Sequence, residues 1–106
     1  MARTKDEVVE EVRRCLIQLK KKHDIKEGYL FGSFARGNPR EYSDVDIAVV
    51  LGSVRDGSPF DERFEIFHEM QEYNSLFEVV CFEEDEFRKE ETMLAKYIRH
   101  EGIRIL

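Results

Sequence analysis

No stretch of this chain approaches the roughly 18 consecutive apolar residues of a membrane-spanning helix. The N-terminus, Met1-Ala-Arg-Thr-Lys-Asp-Glu7, turns amphipathic at once instead of entering an apolar signal core. A soluble, cytoplasmic protein without membrane contact is expected. Cysteine is scarce. Cys15 and Cys81 stand far apart with no metal or redox spacing, and two buried free thiols are the reading that follows. Positive charge is in deficit, with 17 Lys and Arg against 23 Asp and Glu and a net charge of −6. Affinity for a nucleic-acid backbone comes from clustered cations that release counterions, so direct nucleic-acid binding is not expected. Histidine offers no zinc motif: His68-Glu69 lacks a second His, and His23 and His100 fall near helix ends, where a surface or capping role suffices. Neither zinc nor a His general base is expected. The Gly-Lys-Ser or Gly-Lys-Thr of a P-loop is missing too, as is a dinucleotide fingerprint.

What is present fits one α/β domain over residues 1–106, with 42% hydrophobic and 38% charged residues giving a single core under a thickly charged surface. Thr4 and Glu7 form a capping-box pattern, and Val8, Val12, Cys15 or Leu16, and Leu19 recur at helical spacing, predicting a first helix from about Thr4 to His23. Acids crowd its first turns and Lys20, Lys21 and Lys22 its last, as the helix dipole favours. Tyr29-Leu-Phe31 reads as a short strand ending at Gly32, Ser33 to Arg36 as one helical turn closed by Gly37, and Asp44 to Leu51 as a second strand covered on both faces. Gly52 to Gly57 reads as a loop. Ser58, Pro59 and Asp61 read as N-cap, first helical residue and capping acid of a second helix. Phe60, Phe64, Phe67 and Met70 are expected to form its buried stripe, packing against a sheet in preference to lining a ligand pocket. Ser75 to Phe82 is a third strand, with Phe77, Val79 and Cys81 on one side and Glu78, Val80 and Phe82 on the other. Glu83 to His100 is helical, broken near Thr92, with Phe87, Met93 or Leu94, Tyr97 and Ile98 as its apolar positions. Gly102 stops it, and residues 103–106 form a short last strand or a trailing end.

The chemistry concentrates in residues 29–51. Asp44 and Asp46, two apart at a strand start, send both carboxylates to one face about 7 Å apart along the chain. Such like charges need a cation between them, and hard oxygen ligands suit Mg²⁺, which takes substrate phosphates as further ligands. A pair of divalent ions there could bridge an attacking oxygen and a nucleotide's α-phosphate. Gly32-Ser33, leaving a strand and opening a helical turn, offers unpaired backbone N–H groups and a hydroxyl as a phosphate cradle, and Arg36 can reach the same phosphates.

Together, Leu-Phe-Gly32-Ser33-Phe-Ala-Arg36-Gly and Ser-Asp44-Val-Asp46-Ile-Ala-Val resemble the signature of the DNA polymerase β-like nucleotidyltransferase superfamily, and the chain's size resembles its minimal nucleotidyltransferases. The match is specific over residues 29–51 and loose elsewhere. The resemblance implies a small mixed β-sheet with helices packed on it. It also implies Gly32 and Ser33 on a triphosphate, Asp44 and Asp46 on two Mg²⁺ ions, and a third acid on a neighbouring strand that completes the site and helps deprotonate the acceptor. That third position departs from the family's usual Asp. Glu78, in Phe77-Glu-Val-Val80, is the candidate, with a carboxylate about 1.5 Å further out facing a cation that demands near-ideal geometry; Glu83, at the strand's exit, is the alternative. The implied activity is transfer of AMP from ATP to a hydroxyl, with release of pyrophosphate. Minimal members are commonly paired with a helical HEPN-domain toxin that they bind and adenylylate on tyrosine, so an antitoxin role is implied. Two other readings stay open: a module that neutralises its partner by contact alone, and an aminoglycoside-type small-molecule transferase.

Overall fold

The computed structural model describes residues 4–32, 35, 44–52 and 59–106. Helix α1 (Lys5–Leu19) starts where the Thr4 side chain accepts a hydrogen bond from the Glu7 N–H, the N-terminal half of the expected capping box. It buries Val8, Val12, Cys15, Leu16 and Leu19. The helix ends four residues earlier than its periodicity predicted. The lysines at 20–22 form the turn that follows it, with backbone N–H groups bonding back to Leu16, Gln18 and Leu19 carbonyls. The chain then enters β1 (Ile25–Phe31), which begins well before the expected Tyr29 because Ile25 and Leu30 belong to the core while Lys26 and Glu27 between them mask the strand pattern.

Strand β2 (Val45–Leu51) pairs antiparallel with β1, with Leu30 opposite Ile47 and Phe31 opposite Asp46. Every β2 residue except Asp46 is buried, as expected for a strand covered on both faces. Helix α2 (Pro59–Tyr73) makes the crossover to β3 (Phe77–Glu83), which runs parallel to β2. Two short helices follow, α3 (Glu84–Arg88) and α4 (Met93–Glu101), separated where the Thr92 hydroxyl accepts from the Ala95 N–H. Gly102 closes α4 with its N–H on the Ile98 carbonyl, and β4 (Ile103–Arg104) pairs antiparallel with β1. The result is a mixed sheet of order β3-β2-β1-β4 with helices packed on it, an α/β fold of the expected kind.

The sheet divides the core in two. Val45, Ile47, Val49 and Leu51 point with Phe77 and Cys81 toward α1 and α2. Ala48, Val50 and Phe82 point the other way, under Phe87 of α3 and Ala95 and Ile98 of α4. Complete burial of each Val, Leu, Ile or Phe contributes roughly 1.5–3 kcal/mol, so the central strand, buried on both sides, is the best-anchored part of the fold.

One expected face is wrong. Phe64 is 70% and Phe67 37% exposed, whereas Ile66 and Met70 are fully buried and Glu62 is 5% exposed. The buried stripe of α2 is Glu62, Ile66 and Met70 at four-residue spacing, so Met70 is buried as expected while Phe64 and Phe67 turn away from the core. A buried acid at the stripe's first position broke the apolar pattern, and three phenylalanines spaced like a core face took its place. The side chain of Phe60 and the expected cap at Ser58 lie outside the described residues, as do the turn expected at Ser33 to Arg36 with Gly37 and most of the loop after Gly52. On α4, Met93 is 83% and Leu94 40% exposed; Ile98 is buried as expected, and Ala95 takes the place expected of Met93 or Leu94.

Candidate active site

At the N-terminal ends of β2 and β3, the face of the sheet that carries α3 and α4 opens. There Asp46 lies directly opposite Glu78 in the parallel pairing and opposite Phe31 in the antiparallel one. Side chains at paired positions share a face, so β1, β2 and β3 present Phe31, Asp46 and Glu78 in a row across adjacent strands about 4.8 Å apart. Asp44, two residues before Asp46, adds a third acid to the same side. The Glu78 carboxyl feels both: its pKa is raised above the ordinary Glu value of 4.5, first by the Asp44 charge, then by burial, then by the Asp46 charge and a side-chain hydrogen bond with Asp44. The three acids are therefore within electrostatic reach of one another.

Glycine at position 32 has a visible reason. Gly32 takes φ +76°, a left-handed conformation that strains any residue with a Cβ, and a Cβ there would run into the Asp46 carboxylate, 3.0 Å from its Cγ. The backbone leaving β1 thus lies directly against the acid that heads β2. The structure brings together Gly32, Asp44, Asp46 and Glu78, while Ser33 and Arg36 lie outside the described residues. Glu83 is elsewhere. It sits opposite Leu51 at the far end of β3, where it and Glu86 cap α3, so Glu78 is the only one of the two proposed third acids near Asp46.

Beside the acids is a cavity of about 240 Å³ whose walls include Phe31, Asp46, Glu78, Phe67 and Leu94. Phe67 was expected in the core; it forms a side wall instead. Sequence patterning missed these wall residues, and the one available signal was Ile66, whose spacing from Met70 competes with that of the phenylalanines. A row of carboxylates next to a partly apolar hollow can hold a hard cation and shelter a flat or greasy group beside it.

The site does not stand alone among known proteins. A family model described as "Polymerase beta, Nucleotidyltransferase" matches residues 15–106. Two Methanocaldococcus jannaschii proteins, MJ0435 and MJ1215, both named as protein adenylyltransferases by prediction, are 41% identical over 44 residues and 37% identical over 60. These matches cover 42% and 57% of this chain, and the chain spans 47% of the first relative's length and 70% of the second's. Among solved structures, a predicted nucleotidyltransferase of Sulfolobus solfataricus has the same fold with a TM-score of 0.64 at 19% identity, over 94% of this chain and 80% of its own. A toxin–antitoxin structure with AMP-PNP gives 0.62 at 23% identity, over 89% of this chain and 72% of its own. The MntA–HepT toxin–antitoxin gives 0.56 at 21%, over 89% of this chain and 68% of its own. With the family model spanning nearly the whole chain and the acids at 44 and 46 heading the central strand, this chain belongs to the polymerase β nucleotidyltransferase family.

Proposed function

We propose that residues 1–106 act as a Mg²⁺-dependent adenylyltransferase that moves AMP from ATP to a hydroxyl of a partner protein, with Asp44, Asp46 and Glu78 as its catalytic acids. The observation that carries this reading is the facing of Asp46 and Glu78 across β2 and β3, with Asp44 close enough to raise the Glu78 pKa. Three acids in mutual repulsion fit a bound divalent cation, because a cation is what turns that repulsion into attraction. Asp44, Asp46 and Glu78 would hold two Mg²⁺ ions. When bound, such ions neutralise charge on the triphosphate and on the leaving pyrophosphate.

The chain's own groups have distinct parts. Gly32 allows the strand end to approach the phosphates without a side chain in the way, and Ser33 and Arg36 are proposed as donors to the same phosphates. Glu78, beside the acceptor, takes the proton of its hydroxyl as that oxygen bonds to the α-phosphorus. The bond between the α-phosphorus and the bridging oxygen breaks, and pyrophosphate leaves with the electron pair. Phe31, Phe67 and Leu94 give the hollow next to the acids an apolar side.

A protein acceptor is supported by the names of the two archaeal relatives, and a HEPN-type toxin partner by the fold shared with the MntA–HepT antitoxin. A second reading, neutralisation of the partner by contact alone, is favoured by the exposed apolar side chains Phe64, Phe67, Met93 and Leu94. Incubation with α-labelled ATP, Mg²⁺ and a helical HEPN-type partner protein separates the two. Label on a partner tyrosine, lost in Asp44→Asn/Asp46→Asn, supports transfer; partner inhibition undiminished in that variant, with no label, assigns the function to contact.

A further inference from the structure

α1 and α2 cover the face of the sheet opposite the catalytic acids, and at the exit of α1 their junction holds a buried histidine. His23 is 3% exposed, with its imidazole wholly enclosed. The ring lies between two carboxylates of α2: Nδ1 is 3.3 Å from Glu62 Oε1, and Nε2 is 3.4 Å from Glu69 Oε2. The two contacts differ in kind. The first is a hydrogen bond to a carboxylate that is itself buried. In the second, both the nitrogen and the oxygen are buried and neither has a hydrogen-bond partner. Glu65, one turn before Glu69, completes a group in which one ligand atom from each of His23, Glu65 and Glu69 lies within 4.8 Å of the others.

We propose that His23, Glu65 and Glu69 bind a divalent transition-metal ion, with Glu62 holding the imidazole in the ligating tautomer. A carboxylate accepting from Nδ1–H leaves Nε2 as a bare lone pair, the arrangement by which an outer carboxylate orients a metal-bound histidine. That lone pair then faces a carboxylate oxygen. Two buried acceptors at 3.4 Å repel unless a metal ion or a proton lies between them. A tetrahedral ion with ligand arms of about 2.1 Å has ligand–ligand edges of about 3.4 Å, so the gap already has the right span. One imidazole nitrogen with two carboxylates favours Zn²⁺ or a neighbouring first-row ion over Mg²⁺. Glu65 is exposed, giving the ion a route from solvent, while Lys22 pairs with the other oxygen of Glu69, at 3.5 Å. The expected consequence is a clamp between the end of α1 and the middle of α2, remote from nucleotide chemistry. His23, expected from its place in sequence to serve as a surface or capping residue, would be its inner ligand.

The test removes the competing acids first. Metal-free Asp44→Asn/Asp46→Asn protein is titrated with ZnCl₂ and, separately, with CoCl₂, following bound metal, the visible absorption of Co²⁺, and thermal melting. One equivalent of Zn²⁺, a Co²⁺ spectrum with one nitrogen ligand, and a Tm raised by at least about 10 °C at a metal concentration about 100 times Kd are expected. Glu65→Gln and Glu69→Gln, added singly to that background, should weaken binding at least about tenfold and cut the Tm shift at the same metal concentration to about half or less, while melting cooperatively without metal. Glu65 is exposed, so its variant folds even where that of Glu69 does not. Absence of a Zn²⁺ equivalent in the starting background overturns the proposal and assigns the gap to a proton on His23. Binding undiminished by Glu65→Gln overturns it as well.

Discussion

Asp46 faces Glu78 across the parallel β2–β3 pairing, and this one register position brings an acid from residue 78 to the acids at 44 and 46. Because the side-chain period of a strand is two, a slip of one residue would send Glu78 to the opposite face, among the residues under α1 and α2. The catalytic reading of this chain therefore depends on how β3 is registered.

Ionisation of Glu78 should cost stability in the metal-free protein. Its folded pKa lies above the ordinary 4.5, so between those two values the folded state holds more protons than the unfolded one, and stability falls as pH rises through that window. Glu78→Gln abolishes this dependence, so the variant should gain in Tm relative to wild type as pH rises toward neutrality, and added Mg²⁺ should narrow the gap. Thermal melts across that range check it; a gap that does not widen with pH means the acids do not interact.

Asp44→Asn and Asp46→Asn should each lower adenylyl transfer at least about 100-fold, the scale of losing several kcal/mol of charge stabilisation at the phosphates. Neither change should lower Tm in metal-free buffer, since each removes a like charge from the cluster. Label transfer to the partner, measured beside thermal melts, separates the two effects. Glu78→Asp should keep more activity than Glu78→Ala, and Glu83→Ala should leave transfer unchanged.

Gly32→Ala carries two penalties. The left-handed backbone costs an alanine about 1–2 kcal/mol, and its methyl meets the Asp46 carboxylate. Chemical denaturation should show that loss, and Gly32→Ala with Asp46→Ala should recover the part due to the clash but not the part due to the backbone. Transfer should be lost in both.

Cys15 and Cys81 should ignore thiol reagents in the native protein. Burial, then the Glu69 charge, pushes Cys15 up to about 11; burial pushes Cys81 up to about 12, with the nearby Glu62 adding and Arg63 opposing. Almost no thiolate exists at neutral pH. Alkylation followed by mass spectrometry should label both only after denaturation.

Ile66→Ala should cost about 2–5 kcal/mol, while Phe64→Ala should stay within about 0.5 kcal/mol, because the isoleucine is fully buried and the phenylalanine mostly exposed. Denaturant midpoints for the two variants report directly which face of α2 meets the sheet.

Much of this molecule is written locally. The apolar run from Val45 to Leu51 demands a strand buried on both sides, the Thr4 and Thr92 caps fix two helix starts, and the glycine at 32 with the acids at 44 and 46 marks the candidate site, because each is a short-range rule acting on neighbouring residues. The contacts between distant segments were not legible in that way. Glu62 looks like a surface acid until His23, 39 residues away, is seen to pair with it, and that pairing turns α2 so that Ile66 enters the core and Phe67 lines the cavity. Likewise, only the β2–β3 register selects Glu78 over Glu83. The sequence by itself determined which segments became strands and helices and where the candidate acids lay. Tertiary structure decided which face each helix buries and which third acid joins the pair, because a buried polar partner and a strand register exist only once distant parts of the chain have met.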